Sequence, residues 1–276
     1  MNPFDVLQFI GIPVGVATVM MLLSWWLLPT KRLQPVGAVL AVGMSCLVAF
    51  LLQEGIPSVP PTQKWHWLVL TVLLVSVLAC MYPLFRGWDE RIVLQAIIAG
   101  VIAAVLMQFP SQSAFFERCI VLFMVLFVSV GLRRLTIPPW HMYLASWWIL
   151  AGLSILALQS SFAKLAFFAG AMSAVAATLF VLQLIKPRET KSVQMIFGIL
   201  IVGCSLCGLA YNQTETIHQI AWLLPMIGVP ISAVTYFICK NLRYGAMVSL
   251  GIIYVFVSCP VILSIVTTPT GDELWP

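Results

Sequence analysis

"VLQFIGIPVGVATVMMLLSWWLLPTKR", residues 6–32, runs from Val6 to Leu28 without a charged side chain and then meets Lys31 and Arg32. About 20 apolar residues suffice to cross the hydrocarbon core of a bilayer, so the stretch reads as a membrane-spanning helix closed by a basic flank. It also carries Gly11, Pro13 and Gly15, the residue types that weaken a helix interior most. Both features recur along the chain.

Of 276 residues, 62% are hydrophobic and only 8% charged, with a mean hydropathy of +1.06. A soluble domain has about 25% charged residues. The fold class expected is therefore an all-α integral membrane protein, a compact polytopic bundle with short loops. Apolar runs cover 6–28, 34–52, 65–85, 92–109, 115–132, 140–158, 163–185, 193–210, 220–239 and 246–268, which predicts about ten transmembrane helices in one domain over 1–276. An even count split near residue 138 would give two halves, 1–138 and 139–276. Positive charge follows the first run rather than preceding it, the reverse of a secretory signal, so that run is read as a retained span.

Basic residues orient the bundle. Lys31, Arg32, Arg86, Arg91, Arg133, Arg134, Lys186, Arg188, Lys191, Lys240 and Arg243 follow odd-numbered runs, whereas Lys64, Arg118 and Lys164 follow even-numbered ones. Eleven against three is a strong positive-inside asymmetry. It predicts a multi-pass protein of the plasma (cytoplasmic) membrane with both termini outside. The net charge of +5 is dispersed between apolar runs, which argues against nucleic acid and for the lipid bilayer as the partner.

The proline of the first run has counterparts in "GVPIS", 228–232, and "SCPVI", 258–262. Each proline removes a helical hydrogen bond and should kink or open its helix. In lipid a freed carbonyl needs a protein or water partner, so such breaks should face the bundle interior. Gly11, Pro13 and Gly15 with Gly228 and Pro230 thus form a candidate solute-binding set, with Glu117 and Arg118 at the rim of a cavity they would share. The competing reading is that these residues only shape packing, and that Glu117, Arg118 and Glu54 reach into the interface.

Other chemistry is thinly represented. No Asp, Glu, Lys or Arg falls in the central part of a run, which disfavours a buried-carboxylate proton relay. The histidines, His66, His141 and His218, lie at run ends, His141 opposite the other two, and read as interfacial anchors rather than a shared metal site. Cys204 and Cys207 form a CxxC pair with no partner pair, so no redox role is assigned. No Walker A motif is present, no catalytic set is recognised and no cofactor is implied. Small residues Ala166, Gly170, Ala174 and Thr178 line one face of the seventh run and suit close helix packing or a homodimer. The function expected is a carrier or channel for a small neutral or weakly polar solute, not driven by ATP. The alternative is a non-catalytic subunit or scaffold bound to a partner membrane protein.

Overall fold

The computed structural model describes residues 3–28, 33–56, 61, 63–82, 91–107, 114–135, 140–187, 192–211, 216–239 and 244–267. The junction near residue 138 and both chain ends lie outside these residues. Within them are ten helices: α1 (Pro3–Leu27), α2 (Gln34–Glu54), α3 (Lys64–Met81), α4 (Ile92–Leu106), α5 (Ala114–Arg134), α6 (Trp140–Gln159), α7 (Ala163–Ile185), α8 (Val193–Tyr211), α9 (Thr216–Cys239) and α10 (Gly245–Thr267). Eight of them are long and apolar enough to cross a membrane; the apolar stretches of α3 (Trp65–Met81) and α4 (Ile92–Leu106) are shorter. Helices suit such a sequence because each satisfies its backbone groups internally, which lipid cannot do for it.

The bundle is built around α8. Every residue from Val193 to Gly208 is buried, and the helix packs against α2, α3, α4, α5, α6, α7 and α9. Helices from both halves of the sequence therefore share one core. At the margins, α1 packs on α2 and α7, and α10 on α6 and α9. Two contacts align the ends of α1 and α7. Phe9 meets Phe167 with ring centroids 5.9 Å apart near their starts, and the Lys186 ammonium lies 5.5 Å from the Trp25 ring at their finishes. The end carrying Trp25 and Lys186 is the basic end predicted from sequence.

Glycine permits the closest approaches to α8. A methyl at Gly198 would overlap the Ser129 hydroxyl of α5, and one at Gly208 would overlap the Trp222 indole of α9. Small residues of this kind let backbones approach where the hydrophobic effect no longer drives association. The tightest connection joins α6 to α7. Ser161 adopts a left-handed φ of 58°, Phe162 N–H bonds the Ala157 carbonyl (2.9 Å) and Ser161 N–H that of Leu158 (3.1 Å). This is a Schellman-type stop, with serine where glycine is usual.

The helices run continuously through their prolines: Pro13 in α1, Pro225 and Pro230 in α9, Pro260 in α10. Of the kink or opening expected at these sites, none takes the form of a gap in the helix. A proline deletes one bond of the ladder, and neighbours on both sides hold the remainder in register.

Candidate functional site: neutral polar groups on the central helix

Gln194, Gly198, Ile201 and Ser205 recur at i, i+4, i+7 and i+11, which puts them on one stripe of α8. Gly198 fixes where that stripe looks, because it abuts Ser129 of α5. Gln194 is 0% exposed, and among the described residues neither its amide oxygen nor its amide nitrogen has a hydrogen-bond partner. The hydroxyls of Ser129 and Ser205, each on a fully buried residue, are also without partners among the described residues. Ser146 on α6 is in the same condition, one turn along from Tyr143, whose ring lies edge-on to Phe197 of α8 at 6.0 Å.

Such groups are uncommon. An unmade buried hydrogen bond costs about 1–3 kcal/mol, and native interiors leave few. The four named here are all uncharged and lie on α5, α6 and α8, with α5 and α6 both packed against α8.

Prolines free two carbonyls on α9. Pro225 leaves the Ala221 carbonyl without its usual helical donor, and Pro230 does the same for Met226; both residues are buried. The Pro230 segment of α9 faces α5: a methyl on Gly131 would sit 3.0 Å from Val229 Cγ1 and 3.5 Å from Pro230 Cα. Gly131 is two residues from Ser129, so the Pro230 segment and the Ser129 hydroxyl occupy the same level of the bundle. The polar groups that α5, α8 and α9 offer, hydroxyls, a carboxamide and backbone carbonyls, are uncharged and act through hydrogen bonds.

At the end opposite Lys186, α2, α3 and α7 converge on an ion pair. Lys164 Nζ lies 2.6 Å from Glu54 Oε1, and His66 Nε2 lies 3.7 Å from Glu54 Oε2. Gln53, in the amide orientation that satisfies both its ends, donates to the Lys164 carbonyl (2.9 Å) and accepts from Phe168 N–H (3.1 Å). Phe50, Trp65 and Phe168 close over the group through edge-to-face contacts of 5.2 and 6.0 Å. Glu54 and His66 are thus enclosed, with side chains 13% and 7% exposed, rather than extended into an interface. His141, 1% exposed, departs from the anchoring reading in the same way.

The residues expected from sequence are distributed differently. Pro13 is buried against α2, where its carbonyl accepts the Ser45 hydroxyl at 2.8 Å. Gly11 and Gly15 are exposed, with open space where a side chain would be. Gly228 is buried, and a methyl there would lie 2.7 Å from Phe256 Cβ of α10. Pro230 borders the polar region. Glu117 is half-buried and Arg118 exposed in the first turn of α5, and about 18 Å of helix rise separates Glu117 from Ser129. The structure therefore brings Pro230, but not Pro13, Glu117 or Arg118, to the α5–α8–α9 region.

Gln194, Ser129, Ser146 and Ser205 escape a search for charges and prolines. The signal that finds them is periodic: two polar residues flanking Gly198 at helical spacing in an otherwise apolar run. Among the described residues no group of three His, Cys, Asp or Glu side chains is placed to hold a metal ion.

The fold is thus that of an all-helical bundle with eight helices able to cross a membrane by length and composition. Comparison with protein-family models, with characterised proteins and with solved structures gave no match.

Proposed function

We propose that the protein is a carrier for a small, neutral, hydrogen-bonding solute, moved across the cytoplasmic membrane through the α5–α6–α8–α9 interior without ATP. In this reading all ten helices span the bilayer and both termini lie outside. The observation that supports it best is Gln194: a carboxamide buried on the central helix, with both ends unpartnered, on one stripe with a second unpartnered group, Ser205. These atoms have less than 1 Å² exposed, which suits an occluded carrier better than an open pore.

The test is reconstitution of the purified chain into liposomes and shrink–swell measurement with urea, acetamide, glycerol and erythritol. At least one solute is expected to equilibrate faster than in protein-free vesicles. No acceleration for any of them, with monodisperse protein, overturns the carrier reading. Co-purification of another membrane protein at fixed stoichiometry would then favour the subunit reading.

A further inference from the structure

We infer that the solute is of the amide or urea class, held edge to edge by the Gln194 carboxamide, with the Ser129 hydroxyl one turn further along α8 at Gly198. This deepens the carrier reading and rests on it.

The inference comes from which bonds are missing. A carboxamide presents acceptor lone pairs at one end and two N–H donors at the other, in a single plane. In Gln194 both ends are open while the side chain is fully buried. A planar amide or urea answers both at once, its N–H donating to Oε1 and its carbonyl accepting from Nε2. A hydroxyl of a polyol reaches one end at a time and leaves the other unmade, or must present two hydroxyls in the same plane. Ser129, at the next turn of the stripe through Gly198, supplies one further hydroxyl, able to donate to the solute carbonyl or accept from its second N–H.

Charge argues the same way. The stripe residues Gln194, Gly198, Ile201 and Ser205 are all neutral, so an ion would shed its hydration with no opposite charge on the stripe to meet it. Arg133, one turn from Ser129 toward the basic end, is half-buried and has interactions of its own. Nitrate, as flat and small as urea but anionic and acceptor-only, therefore serves as the discriminating probe. Water is the remaining occupant that could serve both ends of Gln194.

The experiment compares urea, acetamide, glycerol, nitrate and water permeability in proteoliposomes of the full chain, wild type against Gln194→Leu and Gln194→Met. For the wild type, urea and acetamide should enter about tenfold faster than in protein-free vesicles, while glycerol and nitrate stay at background. Losing the paired hydrogen bonds should cost about tenfold, returning both variants to background. Gln194→Leu removes unpartnered buried atoms and Gln194→Met keeps the side-chain length, so at least one is expected to stay monodisperse. Glycerol carried as fast as urea overturns the substrate class and leaves the carrier reading standing, whereas nitrate carried as fast overturns the neutrality of the solute as well. Unchanged urea flux in both variants overturns the site. Acceleration of water alone makes Gln194 a water site and overturns the amide assignment. No flux of any solute sinks the carrier reading itself.

Discussion

Gly208 and Gly11 are the same residue type in apolar helices, yet their surroundings predict opposite outcomes on substitution. Gly208→Ala drives a methyl into the Trp222 ring and should lower stability by about 1–3 kcal/mol, as overpacking does. Gly11→Ala and Gly15→Ala meet nothing within 4 Å and should be neutral, or should raise stability by up to about 1 kcal/mol through helix propensity. Thermal unfolding in detergent distinguishes the two cases; a large loss at Gly11 or Gly15 would contradict the placement of α1. The first run shows these glycines plainly in the sequence, but not which way they face, because that depends on how α1 lies against α2 and α7. The same blindness hid Gln194. A glutamine near the end of an apolar run reads as an interface residue until the seven-sided packing around α8 shows it enclosed.

Single bonds between elements carry the next set of consequences. Serine at the left-handed position of the α6–α7 turn gives up what glycine would gain there, so Ser161→Gly should stabilise by about 1 kcal/mol. At the opposite end of the bundle from Lys186, Lys164→Ala leaves Glu54 enclosed without its ammonium partner, while Glu54→Gln leaves a half-exposed lysine free to reach solvent. Lys164→Ala should therefore be the more destabilising, by about 1–3 kcal/mol, and adding Glu54→Gln should recover part of the loss. Equal effects from the two single substitutions would contradict the enclosure of Glu54. The elements themselves were legible: apolar runs mark all ten helices, and Glu117 and Arg118 do not shorten α5 because they occupy its first turn, where an acid suits the helix dipole. The Glu54 to Lys164 pair was not, since it joins helices far apart in sequence.

For the whole molecule, charge asymmetry and central burial of α8 together define the account. Eleven basic residues that follow odd-numbered runs, against three that follow even-numbered ones, predict that reporter fusions at residues 88, 136 and 189 report inside and one at 276 reports outside. Composition conveyed the membrane class because lipid restricts architecture so severely; it could not convey which helix is central, since α8 is no more apolar in appearance than its neighbours. Of the prolines singled out in the sequence, Pro230 borders the polar region and Pro13 is tied to α2 by Ser45. The central claim is that the neutral groups along α8 line a route for solute, and aqueous access tests it most directly. In a chain whose seven native cysteines are replaced, Gln194→Cys and Ser205→Cys should react with neutral, water-soluble hydroxyethyl methanethiosulfonate in intact membranes. Val105→Cys, on the exposed face of α4, serves as the lipid-side control and should not. Protection of both positions by a solute that is carried would complete the case, whereas two thiols that stay unreactive in folded protein under every solute condition would contradict the account.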